Sequence, residues 1–266
     1  MPRVIDLHTH ILPGVDDGVR TEDDAVEFAR VAAADGIRTL VATPHCKEGF
    51  YTNERTEVLA GVDRLRARLA AENVPVDVLP GAEVHLCTDL VARVRDGRAP
   101  TLADNGKTLL LELSTTQYPV EIDNLVFELR LAGIIALFAH PERVRFFLDD
   151  VRRYEALVRL GAYGQITSGS ILGIFGEEIR EFSEELLRKR LVHVVASDSH
   201  NVRGRPPQIR SAIEAIVPWV GERTAMGMAT DIPRALLEGR DPDLPAPPED
   251  TAARKRSLLS RLFQKR

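Results

Sequence analysis

Short apolar segments alternate along this chain with longer segments in which apolar residues recur at helical spacing. The apolar segments predict strands over residues 4–7, 37–42, 76–79, 108–113, 134–139, 162–166 and 192–196. Amphipathic helices are predicted over residues 23–34, 54–72, 122–132, 151–160 and 177–190. Because strands that alternate with helices are typical of parallel sheets, the pattern predicts an α/β fold.

Local signals predict where two of the helices begin or end. Thr21, with Asp24 three residues later, resembles a capping box, and Gly36 suits the position just after a helix. Pro206 and Pro207 are predicted to open a further helix, and no eighth apolar strand follows them.

Polar side chains follow most of the predicted strands at the point where each strand ends. A (β/α) barrel builds its active site from the carboxyl ends of its strands, whereas an open doubly wound sheet uses two or three strand ends. We therefore predict a distorted, TIM-barrel-like (β/α) barrel of seven strands over residues 1–240. The polar residues at its strand ends are His8, His10, His45, Glu83, Glu112, His140, Asp198 and His200.

Composition limits the classes of partner and compartment. The 266 residues carry a net charge of −5, which argues against nucleic acid as the main partner. No secretory signal is visible, and no segment approaches the roughly 18 apolar residues of a membrane span. The two cysteines, Cys46 and Cys87, do not form a disulfide framework. A reducing, cytoplasmic location is therefore expected.

The C-terminal segment departs from the α/β pattern. Residues 241–250 are rich in proline and acidic residues and predict an extended linker. Residues 251–266 hold six basic residues, no acidic ones, and apolar residues at helical spacing. Such a tail is either a solvated chain end or a basic amphipathic segment that binds anionic lipid, which would place the protein at the inner face of the membrane.

The histidines and carboxylates at the strand ends predict a metal site. Five of the seven histidines lie there, together with four carboxylates, one of which is Asp17 or its neighbour Asp16. This number exceeds what one catalytic zinc uses, so a cluster of two or three ions is expected. Mixed imidazole and carboxylate ligands suit manganese, iron or zinc. We interpret His85 and His193 as structural residues outside the cluster.

Metal clusters of this kind typically hydrolyse phosphoesters, because one ion activates a water and another steadies the phosphate. A guanidinium matches the geometry of the remaining phosphate oxygens, and Arg143 is the first candidate for this role, followed by Arg203 and Arg205. Phe50 and Tyr51, in the loop after His45, are candidates for a wall that stacks on the substrate.

Six motifs resemble those of the polymerase-and-histidinol-phosphatase (PHP) superfamily. Within that superfamily the chain is more similar to the bacterial manganese-dependent protein tyrosine phosphatases of the YwqE and CpsB type, over roughly residues 3–240. The motifs are Asp6-Leu-His-Thr-His10, Asp17-Gly18, Thr43-Pro-His45, Gly81-Ala-Glu83, Ala139-His-Pro-Glu-Arg143 and Ser197-Asp-Ser-His200.

This resemblance implies a more specific site and a more specific substrate than the spacing of the residues predicts by itself. It implies a manganese site of two or three ions, in which Asp17 is a ligand in preference to Asp16 and Glu83 bridges two ions. It implies catalytic roles for Arg143, Asp198 and His200, with a metal-activated water attacking the phosphate that Arg143 binds. The implied substrate is the phosphotyrosine-containing tail of a membrane-associated tyrosine kinase that controls capsule or exopolysaccharide synthesis.

Three other functions fit parts of the sequence. A PHP-type small-molecule phosphoesterase, such as a histidinol-phosphate phosphatase, would share the metal ligands. A non-catalytic regulator would retain the barrel, but the complete ligand set argues against it. A cysteine-based phosphatase is suggested by the C-x5-R spacing of Cys87 and Arg93, but the intervening segment lacks the glycine-rich backbone that cradles a phosphate and contains Asp89, which would repel it.

Overall fold

The structure is a computed structural model that describes residues 3–115 and 117–244. Its strands are β1 (Val4–Thr9), β2 (Ile37–Ala42), β3 (His45–Lys47), β4 (Tyr51–Thr52), β5 (Asp77–Pro80), β6 (Glu83–His85), β7 (Thr108–Glu112), β8 (Ile135–Ala139), β9 (Tyr163–Thr167) and β10 (Val194–Ala196). Its helices are α1 (Glu22–Asp35), α2 (Arg55–Ala71), α3 (Leu90–Arg95), α4 (Ile122–Leu131), α5 (Arg145–Asp149), α6 (Val151–Arg159), α7 (Ser168–Ile171), α8 (Glu177–Arg188), α9 (Arg210–Val220), α10 (Glu222–Gly227) and α11 (Asp231–Leu237).

Two sheets contain the strands and confirm the predicted α/β class. The first has the order β1-β2-β5, and the second has the order β10-β9-β8-β7-β6-β3-β4. Neighbouring strands run parallel except for the antiparallel pair β3 and β4. A parallel bridge between Thr9 and Ser199 links β1 to the segment that follows β10. All seven predicted strands are present, and the division into two sheets was not predicted.

Three short strands were missed by the apolar pattern. These are β3, β4 and β6, each of two or three residues. Strands this short carry too few alternating positions to give a periodic signal. Strand β2 of the first sheet is followed in the chain by β3 of the second, and β5 of the first sheet is followed by β6 of the second. Two of the short strands therefore carry the chain from the first sheet into the second.

The predicted ends of α1 are confirmed. The Thr21 side chain accepts from the backbone N–H of Asp24, and the Asp24 carboxylate accepts from the backbone N–H of Thr21, which completes a capping box. Gly36 ends the helix in the left-handed conformation with φ of 100°.

The predicted start of a helix at Pro206 and Pro207 is wrong. Helix α9 begins at Arg210, three residues after the second proline. The carboxylate of Asp35, at the end of α1, accepts from the backbone N–H groups of Ile209 and Arg210. These two N–H groups would lack partners at the start of a helix, so a carboxylate from a distant segment determines where α9 begins.

The core is mainly aliphatic, as the low aromatic content of 5% indicates. The central strand β7 places Leu109, Leu110 and Leu111 fully inside, which is typical of parallel strands that are covered on both faces. Among the described helices, none has the length and apolar character that crossing a bilayer requires.

The chain beyond α11 is described only as far as residue 244. Asp241 accepts from Arg130 and from the Tyr163 hydroxyl, which ties the start of the predicted linker to α4 and β9. The rest of that linker, residues 245–250, and the predicted basic tail, residues 251–266, lie outside the described residues.

Candidate metal centre

The carboxyl ends of the parallel strands bring together all nine residues predicted as metal ligands. Their ligand atoms form four overlapping groups, and within each group the atoms lie within 4.8 Å of one another. The groups are His10 with Asp17, His45 and His200; His8 with His10 and Asp198; His8 with Glu83 and His140; and His45 with Glu83 and Glu112.

Strand β1 and the residue that directly follows it supply the first two histidines on one side of the sheet. His8 and His10 are separated by Thr9, whose hydroxyl points away and donates to the carbonyl of Val41. Successive side chains of a strand alternate in direction, so the two imidazoles face the same way. Both rings are fully buried, and their Nε2 atoms lie 3.2 Å apart.

A side-chain oxygen holds the other nitrogen of each of these rings. His8 Nδ1 donates to Gln165 Oε1 at 2.9 Å, and His10 Nδ1 donates to Asp16 Oδ2 at 2.7 Å. A carboxylate can only accept, so the proton of a neutral His10 ring lies on Nδ1. The Nε2 lone pairs are then free to face the cluster, as in metal-ligating histidines.

Asp16 and Asp17 occupy different places, although residue spacing alone left open which of them joins the cluster. Asp16 Oδ1 accepts from the backbone N–H of Gly18, and Asp16 Oδ2 also accepts from the backbone N–H of His45. Asp17 Oδ1 lies 3.5 Å from His45 Nε2 and 3.4 Å from His200 Nε2. Asp17 is thus part of the cluster, whereas Asp16 lies behind His10.

Glu83 lies at the centre of the cluster and is fully buried. Its Oε1 accepts from His140 Nε2 at 2.8 Å. Its Oε2 lies 3.0 Å from His45 Nδ1 and 3.2 Å from His8 Nε2, yet this buried oxygen has no hydrogen bond of good geometry among the described residues. Glu112 Oε2, on the neighbouring strand β7, lies 3.6 Å from His45 Nδ1.

Asp198 faces two different sets of groups. Its Oδ1 lies 3.4 Å from His8 Nε2 and 3.5 Å from His10 Nε2. Its Oδ2 is ion-paired with Arg143 at 2.7 Å and with Arg205 at 2.5 Å. The residue has φ of 52°, a conformation that is uncommon for residues other than glycine and that concentrates at functional sites.

The charges of the cluster compensate one another. Burial alone would raise the pKa of Glu83, but His8, His140 and His45 outweigh it and hold that pKa well below its usual range. Burial would likewise lower the pKa of His10, but the Asp16 and Asp198 carboxylates raise it to about 10.

The histidine that follows β8 differs from the others in charge. Burial, and after it the Arg143 cation, lowers the pKa of His140 to about 4, so its ring is neutral at neutral pH. A neutral imidazole is the form that ligates a metal ion. His140 also has a positive φ, of 35°.

Two of the three predicted phosphate-binding arginines border the cluster. The Arg143 guanidinium lies 5.0 Å from the centre of the Phe175 ring, in addition to its ion pair with Asp198. Arg205 donates to His200 Nε2 at 3.1 Å. Arg203 is exposed, and among the described residues no side-chain hydrogen bond or ion pair joins it to the cluster.

The two predicted wall residues also differ in position. The Tyr51 ring stacks on the His45 ring, with 5.6 Å between ring centres and 17° between the ring planes. Phe50 is 75% exposed and lies under the Lys47 ammonium, 5.0 Å from it. Among the described ring contacts, Tyr51 therefore contacts a cluster residue and Phe50 does not.

Neither of the two histidines interpreted as structural belongs to the four groups of ligand atoms, and each bonds a backbone group. His193 Nδ1 accepts from the backbone N–H of Gly164, and His85 Nδ1 bonds the carbonyl of Glu112. Burial and a hydrogen bond with Asp89 raise the pKa of the Cys87 thiol to about 11. A thiol with such a pKa is protonated at neutral pH and is a poor nucleophile.

Sequence reasoning missed several residues that hold the site. Gln165 fixes His8, and Phe175 supports Arg143. The fully buried Glu142 accepts from the Thr167 backbone N–H and from the Ser170 hydroxyl, which ties the turn after β8 to the start of α7. The only sequence signal for Gln165 and Glu142 was their position at a strand end.

The donors of this cluster fit divalent metal ions. Several imidazole and carboxylate groups share a buried region in which uncompensated charge is costly, and the Glu83 oxygen without a hydrogen bond faces two imidazoles. The overlap of the four groups at His8, His10, His45 and Glu83 suits ions that share ligands. Such a donor set at the strand ends of an α/β fold is typical of metal-dependent hydrolases.

The family assignment follows from the comparison of sequences. A model of the family described as "Capsular polysaccharide synthesis, CpsB/CapC" matches residues 4–238. The chain therefore belongs to the CpsB/CapC family.

Individual relatives agree with this assignment. The chain is 38% identical over 237 residues to the tyrosine-protein phosphatase YwqE of Bacillus subtilis, covering 89% of this chain and 92% of the relative. It is 30% identical over 241 residues to the tyrosine-protein phosphatase CpsB of Streptococcus pneumoniae, covering 88% and 98%. A structure from work on YwqE and CpsB, described as unique metal-dependent tyrosine phosphatases, superimposes with a TM-score of 0.86 at 37% identity, covering 92% of this chain and 99% of that one.

Proposed function

We propose that this chain is a metal-dependent protein-tyrosine phosphatase that acts in capsule or exopolysaccharide synthesis. The observation that carries the proposal is the convergence of nine metal-ligand candidates beside Arg143 and Arg205. Membership of the CpsB/CapC family supports the same activity.

The nine residues that would hold two or three ions are His8, His10, Asp17, His45, Glu83, Glu112, His140, Asp198 and His200. Glu83 would be the carboxylate shared between ions, because it takes part in two of the four groups and its two oxygens face different histidines. The mixed nitrogen and oxygen donors suit Mn²⁺, with iron or zinc as alternatives. Ions bound there supply a water of lowered pKa and positive charge for the phosphate oxygens.

Arg143 binds the phosphate of the substrate. Its planar guanidinium can donate two parallel hydrogen bonds to phosphate oxygens, and the Phe175 ring limits its freedom. Arg205 lies on the same side of Asp198 and is the second phosphate-binding group, and Arg203 contributes its charge at the exposed edge. Asp198 and His200 complete the catalytic set: Asp198 links the metal ligands to Arg143, and His200 lies between Asp17 and Arg205.

The substrate is phosphotyrosine in the tail of a membrane-associated tyrosine kinase. Tyr51, stacked on His45, lines the approach and packs against the phenyl ring, and Phe50 extends this wall outward. The free thiols of Cys46 and Cys87 fit a cytoplasmic location. The basic tail brings the enzyme to the inner face of the membrane, where the kinase lies.

The two sheets together form one distorted PHP-type barrel over residues 1–240, with residues 241–250 as its linker to the tail. The Thr9–Ser199 bridge and the paths from β2 into β3 and from β5 into β6 support this closure.

The function is tested with the full chain stripped of metal by a chelator. Turnover is measured on a tyrosine-phosphorylated peptide and a serine-phosphorylated control, while Mn²⁺, Fe²⁺, Zn²⁺ or Mg²⁺ is added back separately. We expect manganese to restore hydrolysis that is selective for phosphotyrosine. His140→Ala should abolish this activity, and Cys87→Ser serves as a matched control that retains it.

Two outcomes would contradict the proposal in different ways. Full activity in the metal-free protein would refute the metal mechanism and make Cys87 a candidate nucleophile. Metal-dependent hydrolysis of histidinol phosphate, well above that of either peptide, would retain the metal centre and replace the protein substrate with a small phosphomonoester.

A further inference from the structure

A cavity of about 620 Å³ lies beside the metal centre, between the segments that follow β3 and β6. Strands β3 and β6 contribute residues both to the metal centre and to the cavity. His45 and Glu83 are paired and belong to the cluster, whereas the next pair, Cys46 and Val84, lines the cavity. Because side chains alternate along a strand, metal ligands and cavity wall occupy neighbouring positions. The cavity therefore adjoins the cluster without being part of it.

Part of the cavity lining is apolar or uncharged. Its volume lies within the roughly 300–1,000 Å³ of sites that hold small ligands or large side chains. The Cys87 thiol in this wall is protonated, because burial raises its pKa. The apolar and aromatic wall residues are Cys46, Tyr51, Val84, Leu86, Cys87 and Ala99.

The arginines that line the cavity are paired with carboxylates, and the ammonium of Lys47, which also lines it, lies over the Phe50 ring. An anion would gain little here, since a paired guanidinium attracts a further carboxylate or phosphate only weakly. Arg93 is bound by Asp89 and Glu48, Arg55 by Asp104, and Arg98 by Asp96. The chemistry of the cavity therefore favours a neutral, apolar occupant.

Tyr51 connects the cavity to the metal centre. It lines the cavity, and its ring stacks on His45 with 5.6 Å between the ring centres. In an extended peptide, side chains two residues apart point to the same side and are separated by roughly 7 Å. A side chain two residues from a phosphotyrosine whose phosphate lies at the cluster therefore comes to the mouth of the cavity.

We propose that this cavity is a specificity subsite that binds a large apolar side chain, aromatic or aliphatic, located two residues from the phosphotyrosine of a peptide substrate. This inference rests on the proposed phosphatase function. It makes the enzyme selective among phosphotyrosine peptides through contacts that do not touch the phosphate.

The test compares phosphotyrosine peptides that carry phenylalanine, leucine or glycine at the second position before or after the phosphotyrosine. The manganese-loaded full chain is assayed for kcat/KM on each peptide and on phenyl phosphate, which is too small to reach the cavity. Thr52→Trp and Thr56→Trp fill the cavity from two exposed positions on its wall. Thr88→Trp is the matched control, since Thr88 is equally exposed but does not line the cavity.

We expect the unsubstituted protein to prefer phenylalanine or leucine over glycine at one of the two positions by about tenfold or more, the gain from burying a large apolar side chain. Thr52→Trp and Thr56→Trp should each remove this preference by lowering kcat/KM for the apolar peptides. Thr88→Trp should keep it, and all four proteins should hydrolyse phenyl phosphate equally.

Equal kcat/KM for all peptides in the unsubstituted protein would overturn the subsite, as would a preference that survives both cavity-filling substitutions. Either result, accompanied by normal hydrolysis of phenyl phosphate, leaves the phosphatase function standing. Failure to hydrolyse phenyl phosphate and every peptide with any added metal would instead reject the proposed function together with the subsite.

Discussion

Substituting Asp16 with asparagine tests a residue that positions a proposed metal ligand but is not itself a proposed ligand. Asp16 accepts three hydrogen bonds: from Gly18 N–H at 2.9 Å, from His10 Nδ1 at 2.7 Å and from His45 N–H at 3.1 Å. The carboxamide of asparagine has only one accepting oxygen, so its NH₂ group must face at least one of these donors. Asp16→Asn therefore loses the support of His10 or of the loop, although the side chain keeps its shape.

The loop around Asp16 has little room to adjust. A Cβ atom on Gly18 would lie 2.2 Å from the carbonyl oxygen of His10, which shows how closely the loop backbone passes β1. Loss of a carboxylate that orients a ligating histidine typically costs about 10- to 100-fold in metal affinity, or about 1.4–2.7 kcal/mol. We expect Asp16→Asn to weaken manganese binding within this range.

The assay is competition for Mn²⁺ between the protein and a chelator of known affinity, with phosphatase activity measured at saturating Mn²⁺. Asp16→Asn should bind manganese more weakly and regain most of its activity at saturation. Asp17→Asn, which alters a proposed ligand, should stay impaired at saturation. Asp63→Asn, at an exposed position on α2, is the control. An Asp16→Asn protein that binds Mn²⁺ with unchanged affinity would refute this expectation. So would an Asp17→Asn protein that regains its phosphatase activity at saturating Mn²⁺ while Asp16→Asn does not.

Four further outcomes follow from the same geometry. Gln165→Leu removes the acceptor of His8 Nδ1 and should weaken Mn²⁺ binding by about tenfold or more in the same competition assay. Cys87→Ser should leave kcat/KM for a phosphotyrosine peptide unchanged, because the thiol is protonated at neutral pH; a large loss would favour a cysteine nucleophile. Arg143→Lys replaces a planar fork with a point charge and should lower kcat/KM by about 100-fold, measured with the peptide under saturating metal. Mn²⁺ at 100 times its dissociation constant should stabilise the protein by about 2.7 kcal/mol in urea unfolding, and a chelator should abolish this gain; equal stability with and without Mn²⁺ would argue against a metal centre.

The class of fold and the nine ligand candidates could be predicted because both depend on local sequence patterns. Apolar runs marked the long strands, and a polar residue that ends such a run lies at the carboxyl edge of a parallel sheet. His8 and His10 illustrate this, since a spacing of two residues in a strand leaves only one relative orientation for their side chains. Convergence then follows from topology, because parallel strands end at the same edge.

Residues that support the ligands could not be predicted, because contacts between distant segments determine their roles. Gln165 is 157 residues from His8 along the chain. Asp16 and Asp17 are adjacent acidic residues in an irregular loop, and only the N–H groups that surround Asp16 distinguish them. The short strand β3 gave no periodic signal, since its positions serve the cluster and the cavity rather than a continuous core.

Asp198 explains why the candidate metal ligands and the arginines lie in one site. One carboxylate oxygen faces the His8 and His10 nitrogens, and the other is shared by Arg143 and Arg205. The positive φ of Asp198 is held by a hydrogen bond from its backbone N–H to the carbonyl of His8. Strain of this kind persists only where surrounding contacts maintain it. The cost of this backbone conformation is thus offset by a side chain that fixes the two arginines beside His8 and His10, and a phosphatase site would depend on such fixed relative positions.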